Sequence, residues 1–229
     1  MSEEKAHSVV LAGESGVGKT YIYSQFFNYK FDETAKTIKP NFSTKTLDFP
    51  DGKSIAFDIW DTPGPAMYRR LVNIYLHKAD AVILVYDVTS QKSFDELKNN
   101  WYGEIQKIEN KNVVIAVAAN KSDLYEEKEV SNEEGEKFAD EIGAIFGITS
   151  AETNTGIQAL FDNIGRKILD TKFDYAANEK KMKDNSENKM KIEEKKEKTE
   201  ETEKTEKKPI LTSPVKKCCG LENCKNCFK

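Results

Sequence analysis

Cysteine is absent from most of this chain of 229 residues: the first 217 residues contain none, and all four cysteines lie between positions 218 and 229. A disulfide framework therefore cannot hold the folded part, and a reducing compartment is favoured. The sequence also has no run of about 18 apolar residues, so no membrane-spanning helix is predicted. Its two histidines, His7 and His77, have no partner pattern typical of a metal or catalytic site. We expect surface or packing roles for them.

The charged residues divide the chain into two parts of opposite net charge. Residues 1–170 carry 19 Lys and Arg against 27 Asp and Glu, whereas residues 171–229 carry 16 Lys against 12 Asp and Glu. An acidic folded part argues against nucleic acid as the main partner, because phosphate backbones bind basic surfaces. Residues 176–208 are mostly Lys, Glu, Thr, Asn and Ser, too polar to bury a core. We expect a domain over 1–170, a charged tether over 171–217 and a cysteine tail over 218–229.

Short apolar runs alternate with segments of helical periodicity in the first part. The runs at 7–12, 81–86 and 113–119 are typical of strands buried on both faces of a parallel sheet. Residues 42–49 and 54–60 predict a hairpin around Pro50-Asp51-Gly52. Helices are predicted near 19–29, 67–78, 92–109, 131–142 and 154–169. This alternation predicts a three-layer α/β fold whose mostly parallel sheet has one antiparallel edge strand.

The first predicted strand leads into GESGVGKT, Gly13 to Thr20, before a predicted helix. In this pattern the glycines let backbone N–H groups close around phosphates, and the helix offers its positive end. Lys19 adds a point charge, and the Thr20 hydroxyl suits Mg²⁺. With a strand before it and a helix after it, this motif predicts a phosphate-binding loop rather than an ordinary glycine turn.

A second motif, NKSD at residues 120–123, follows the predicted strand that ends at Ala119. A fixed carboxylate at Asp123 can accept hydrogen bonds from the ring N–H and the exocyclic amine of guanine. Adenine lacks both donors at those places, and an unpaired polar group in a site rejects an analogue strongly. TSA, residues 149–151, ends the last predicted strand and can line the base. Together these motifs predict a guanine nucleotide as the ligand.

A third motif, WDTPG, places Asp61 at the end of a predicted strand and Gly64 between two prolines. In this order and spacing, GESGVGKT, WDTPG, NKSD and TSA resemble the Ras superfamily of small GTPases. YDVTSQKSFDEL, TIKPNF and SPVKKCC resemble the Rab branch. The resemblance covers about residues 7–170. It implies a P-loop G domain with a six-stranded, mostly parallel sheet and helices on both faces of the sheet.

The resemblance also implies a function: a monomeric GTP/GDP switch that uses Mg²⁺ and regulates vesicle-mediated membrane traffic. Its implied partners are effector proteins, an exchange factor and a GTPase-activating protein. It would act in the cytoplasm, attached peripherally to the cytosolic face of an intracellular membrane.

Site residues carry over by position. The nucleotide would be held by Glu14, Ser15, Gly16, Val17, Gly18, Lys19, Thr20, Phe31, Thr37, Gly64, Asn120, Lys121, Asp123, Ser150 and Ala151. Mg²⁺ would be held by Thr20, Thr37 and Asp61, and catalysis would rest on Lys19 and Gly64. Phe42, Trp60 and Tyr75 match the aromatic triad that meets effectors, with ordinary core or hairpin packing as the alternative interpretation.

Two departures from the family pattern bear on function. The glutamine expected after Gly64, which orients the attacking water, is replaced by Pro65, whose side chain has no donor or acceptor. In the first switch, an ungapped count places Ile38 where a hydroxyl must reach Mg²⁺. We prefer Thr37, because it supplies that hydroxyl and brings Phe42 into register. Pro65 predicts slow hydrolysis, and a hydrolysis-deficient GTP-binding adaptor is the alternative. NKSD argues against a third class, a P-loop kinase or ATPase.

The cysteine tail leaves three interpretations open. Cys218 and Cys219 resemble a Rab lipidation site, although ten residues follow them and no C-a-a-X end is present. Cys224 and Cys227 have the C-x-x-C spacing of a zinc or redox site. The four thiols could also stay unmodified. We favour lipidation, with two lipid chains and nearby lysines as a stable anchor.

Overall fold

The computed structural model describes residues 6–30, 37–108, 110 and 112–170. The chain divides into two units, Met1–Tyr175 and Ala176–Lys229, and all described residues belong to the first. The predicted tether and cysteine tail therefore lie outside the described residues. Within the described part, none of the helices has both the length and the apolar character needed to cross a bilayer.

Six strands form one sheet with the order β2-β3-β1-β4-β5-β6. β2 pairs antiparallel with β3, and the other neighbours are parallel. The strands are β1 His7–Ala12, β2 Asn41–Asp48, β3 Ser54–Asp61, β4 Ala81–Asp87, β5 Val114–Asn120 and β6 Ile145–Ile148. The predicted three-layer α/β fold with one antiparallel edge strand is confirmed, and every predicted strand is present.

Both faces of the sheet are covered, which explains the continuous apolar runs. In β1, Val9 and Leu11 belong to one core cluster, whereas Val10 and Ala12 belong to the other. All seven residues of β4 are buried. Alternate residues of a strand face opposite sides, so a strand between two helical layers must be apolar throughout.

Each of the five predicted helices corresponds to helical structure, but one of them is divided and several bounds differ. The helices are α1 Lys19–Phe27, α2 Arg69–Leu76, α3 Gln91–Glu96, α4 Tyr102–Ile105, α5 Asn132–Glu141 and α6 Ile157–Leu169. α1 ends early because Asn28 adopts a left-handed conformation, and α6 begins only after Gly156 does the same. α2 follows a 3₁₀ turn at Ala66–Tyr68.

One helix prediction was wrong in its continuity. The segment predicted as a single helix over 92–109 consists of α3, a π-helical turn at Leu97–Trp101, and α4. A π turn holds one residue more than an α turn, so the apolar spacing that predicts a helix does not reveal it. Trp101, at the end of this turn, is completely buried.

The parallel strands place the sequence motifs together. β1, β3, β4, β5 and β6 all run in one direction, so their carboxyl ends lie at one edge of the sheet. In open α/β sheets this edge is where ligands bind. GESGVGKT follows β1, WDTPG completes β3, and NKSD and TSA follow β5 and β6.

Candidate functional site

The phosphate-binding loop connects β1 to α1 and folds tightly against the base-side loop. Gly18, the residue before α1, has φ of +96°, and a Cβ on it would lie 2.2 Å from Nδ2 of Asn120. No other residue fits this position without displacing Asn120. That amide donates a hydrogen bond to the carbonyl of Val17 at 2.9 Å. The loop backbone is therefore shaped by a residue of the NKSD motif.

Lys19 is buried beneath this loop. Its Nζ donates to the carbonyls of Gly13, at 2.8 Å, and Glu14, at 2.7 Å. Burial lowers the pKa of Lys19 to about 8, while the carboxylates of Asp61 and Glu14 act in the opposite direction. A nearby anion favours the charged form of a buried ammonium, so the surroundings of Lys19 suit a phosphate.

Oxygen atoms suited to a hard cation meet beside Lys19. The hydroxyls of Thr20 and Thr37 are 2.6 Å apart, and Ile38 is 63% exposed, so the geometry favours Thr37 over Ile38. Asp61 is completely buried, and its Oδ1 has no hydrogen-bond partner among the described residues. Mg²⁺ prefers oxygen ligands and keeps several waters. Two hydroxyls and an unpaired carboxylate oxygen therefore fit Mg²⁺.

Electrostatics at Asp61 point the same way. Burial raises the pKa of this carboxyl, while the nearby Thr20 side chain, the hydrogen bond from Asn41 and the charge of Lys19 lower it. A bound cation would add a further charge favouring the ionised form. Among the described residues no cluster of three or more His, Cys, Asp or Glu side chains could bind a metal ion, so a metal here would depend on hydroxyl and water ligands.

The WDTPG motif packs directly on the phosphate-binding loop. The Thr62 hydroxyl donates to the carbonyl of Leu11 at 2.6 Å, and Pro63 and Gly64 are buried. A Cβ on Gly64 would lie 2.5 Å from the backbone nitrogen of Ser15, so only glycine permits this approach. Pro65 is half-buried, and its carbonyl accepts the N–H of Tyr68 at 2.9 Å.

The base-side loops are connected by side-chain hydrogen bonds. Ser150 Oγ donates to Oδ1 of Asp123, which fixes the carboxylate that the sequence assigns to guanine. The Thr149 hydroxyl donates to Oδ1 of Asn120 at 3.1 Å. Gln25, on α1, donates to the carbonyl of Ala151 at 2.7 Å. The loops after β5 and β6 are thus joined to each other and to α1.

Lys121 shows a contact that the sequence motifs did not predict. Its backbone is left-handed, with φ of +64°, and its Nζ lies 2.5 Å from Oδ2 of Asp87. Asp87 ends β4 directly beside Asn120 of β5. The available signal was its position, since a polar residue ending a buried parallel strand lies at the ligand edge. Phe31, predicted to flank the base, lies outside the described residues.

Glu14 also has contacts that the motif pattern did not reveal. Its Oε1 accepts the indole N–H of Trp101 at 3.1 Å and lies 3.4 Å from Nη2 of Arg69. The Arg69 guanidinium lies 5.2 Å from the Trp101 ring and 3.6 Å from Oε2 of Glu96. The phosphate-binding loop, α2 and the π-helical turn therefore meet at one carboxylate.

The three aromatic residues of the predicted triad are in contact. Phe42 and Trp60 face each other across β2 and β3 with ring centroids 4.5 Å apart, and the Trp60 and Tyr75 centroids are 4.7 Å apart. Phe42 is 48% exposed, whereas Trp60 and Tyr75 are half-buried against the core. The triad therefore has a packed side and an exposed side, and contact with effectors stays a prediction.

Fold and site together define a P-loop nucleotide-binding domain. The Ras family model matches residues 8–170. Ras-related protein Rab-8B of Pongo abelii is 37% identical over 162 residues, 70% of this chain and 77% of the relative. Ras-related protein Rab-21 of Mus musculus is 38% identical over 164 residues, 71% and 73% of the two chains. Ras-related protein Rab-22A of Homo sapiens is 39% identical over 164 residues, which are 71% of this chain and 84% of the relative. The chain belongs to the Ras family and is a Rab-type small GTPase.

Proposed function

We propose that this chain is a GTP/GDP switch that requires Mg²⁺, discriminates against adenine nucleotides and hydrolyses GTP slowly without a partner. Members of the Ras family bind guanine nucleotides with Mg²⁺ as a class. The observation that carries the proposal for this chain is the convergence of two half-sites at one sheet edge. Lys19, Thr20 and Asp61 provide the phosphate and metal side, and Asp123 provides the base side.

Each half has its own role. Lys19 and the loop N–H groups would hold the phosphates, and Thr20, Thr37 and Asp61 would hold Mg²⁺ directly or through water. When bound, Mg²⁺ would supply positive charge to the phosphate oxygens. Asp123, held by Ser150, would accept the two donors that distinguish guanine from adenine. Thr37 belongs to the first switch, so its contact with Thr20 would depend on which nucleotide is present.

Slow hydrolysis follows from Pro65. Its ring carries neither donor nor acceptor, and its carbonyl already accepts the Tyr68 N–H. The family's glutamine orients the attacking water, and Pro65 cannot do so. Binding should be retained, because Lys19 and Asp61 do not depend on this residue. Pro65 also supports a second candidate function, that of a GTP-binding adaptor with essentially no hydrolysis.

The exposed side of the aromatic triad is the proposed effector surface. Phe42 lies on the strand that follows Thr37, and Tyr75 lies on the helix that follows Gly64. Both nucleotide-sensing segments therefore end at this surface, which makes it suited to report the bound nucleotide in membrane traffic. The proposed membrane attachment rests on Cys218 and Cys219, which lie outside the described residues.

Competition binding tests the proposal. A fluorescent GDP analogue, bound in the presence of Mg²⁺, should be displaced by GTP and GDP but not by ATP, whose affinity should be weaker by about 10⁴-fold. Lys19→Ala should abolish binding, whereas Lys137→Ala, which changes an exposed lysine on α5, should leave it intact. Displacement by ATP at the concentration effective for GTP would contradict the proposal.

A further inference from the structure

Asn41 contacts the proposed metal-binding carboxylate but belongs to none of the motifs. It is the first residue of β2 and lies opposite Asp61, the last residue of β3, in the antiparallel register. Its Nδ2 donates a hydrogen bond to Oδ2 of Asp61 at 3.0 Å. Asn41 itself is exposed, whereas Asp61 is completely buried, so the amide contacts this carboxylate from the solvent side of the hairpin.

The two oxygens of Asp61 consequently differ. Oδ2 accepts from Asn41, whereas Oδ1 is buried and has no partner among the described residues. A buried carboxylate oxygen without a partner is costly, and a cation or its bound water beside Oδ1 would remove that cost. The Asn41 amide therefore determines which oxygen remains available and how the carboxylate plane is oriented.

We propose that Asn41 is a positioning residue for the metal: it orients Asp61 so that Oδ1 faces Mg²⁺ or its water. The inference rests on the proposed function, since it concerns the same metal. A side-chain amide suits this role because it donates a hydrogen bond without adding charge. Removing a residue that orients a metal ligand typically lowers the metal affinity by about 10- to 100-fold.

The position of Asn41 also links the metal to the aromatic triad. The next cross-strand pair after Asn41 and Asp61 is Phe42 and Trp60, whose ring centroids are 4.5 Å apart. The two pairs are therefore neighbours along both strands. Successive strand residues face opposite sides of the sheet, so the polar pair lies on one face and the aromatic pair on the other.

The test measures how release of bound fluorescent GDP depends on free Mg²⁺. Two variants remove the amide: Asn41→Ala, and Asn41→Leu, which keeps the side-chain bulk. Both should raise the Mg²⁺ concentration that half-maximally slows release by about tenfold or more. At saturating Mg²⁺ both should still retain GDP. Because Asn41→Leu keeps the bulk, a shift in both variants would be due to loss of the hydrogen-bond donor rather than loss of packing.

Thr44→Ala is the matched control. Thr44 donates to Oδ1 of Asp58 at 2.6 Å, the same kind of cross-strand bond three residues along the hairpin and in an exposed position. It should leave the Mg²⁺ dependence unchanged. The inference is overturned if the Asn41 variants respond to Mg²⁺ like the wild type, or if Thr44→Ala shifts the response as far. A wild-type protein that shows no Mg²⁺-dependent GDP retention would instead overturn the proposed function.

Discussion

The indole nitrogen of Trp101 lies 3.1 Å from Oε1 of Glu14, which joins the end of the π-helical turn to the phosphate-binding loop. Trp101 is completely buried, so the Glu14 carboxylate is the acceptor that compensates for the buried indole N–H. The same oxygen lies 3.4 Å from Nη2 of Arg69 on α2. The structure thus gives Glu14 two separable contacts, one neutral donor and one charged.

Substitutions at Glu14 should separate these contacts. Glu14→Ala leaves the buried indole N–H unpaired and should lower the free energy of unfolding by about 1–3 kcal/mol. Glu14→Gln keeps an acceptor and loses only the charge opposite the partly exposed Arg69, which should cost about 0.2–1 kcal/mol. Urea unfolding in saturating GDP measures both. Equal losses for the two variants would mean that the indole bond contributes nothing.

Base recognition should change at Asp123. Asp123→Asn replaces the carboxylate by an amide facing guanine's donors, so GTP should bind more weakly relative to xanthosine triphosphate. Competition between the two nucleotides measures the ratio. Glu126→Gln, an exposed acid in the following 3₁₀ turn, should leave the ratio unchanged. An unaltered ratio in Asp123→Asn would refute the assignment of this carboxylate to the base.

Hydrolysis should respond to Pro65. The intrinsic rate of a related GTPase is about 10⁻⁴ s⁻¹, and we expect this protein to hydrolyse bound GTP at or below that rate. Pro65→Gln should raise the rate by up to about 10²-fold, the size of effect that misplacing a reacting group can have. Single-turnover measurement with Mg²⁺ is the assay.

Pro65→Ala is the control for this substitution, because it removes the ring without adding an amide and should stay at the wild-type rate. Turnover of several per minute by the wild type alone would show that another group positions the water. A gain in Pro65→Ala equal to that in Pro65→Gln would attribute slow hydrolysis to the stiffness of the loop.

Membrane attachment should depend on the tail. Removing residues 218–229 should move the protein to the soluble fraction of cells without changing its affinity for GDP, because the proposed nucleotide-site residues lie before position 152. Replacing Cys218 and Cys219 by serine should have the same effect, and replacing Cys224 and Cys227 should not. Native-tail mass spectra with four unmodified thiols would exclude lipid attachment.

The sequence predicted the strands and the order of the motifs well, because apolar runs between helical layers leave few alternatives. It also placed Thr37 beside Thr20, since the need for a hydroxyl outweighed an ungapped count. The π-helical turn at Leu97–Trp101 was missed because its apolar spacing matches that of an ordinary helix. The helix ends at Asn28 and Gly156 depended on left-handed backbone conformations that periodicity does not report.

The contacts between motifs could not be predicted from the motifs themselves. Asn41 and Asp61 meet only because of the hairpin register, and Lys121 and Asp87 meet only because β4 and β5 are neighbours. Glu14 and Trp101 are 87 positions apart. Each of these contacts depends on tertiary packing. A local sequence motif therefore identifies at most one of the two residues in each pair.

The central position of β4 has a consequence for folding. β1 and β3 carry the phosphate side of the site, β5 and β6 carry the base side, and β4 is the strand that pairs with both β1 and β5. These parallel pairings join distant parts of the chain and form slowly. Because the two halves of the proposed site meet only through β4, we expect the nucleotide to bind after these pairings are complete. A ligand that binds the native state alone stabilises it by about 4 kcal/mol at a thousand times its Kd. Because that interaction is absent from the folding transition state, it should appear almost entirely as slower unfolding, with the refolding rate unchanged.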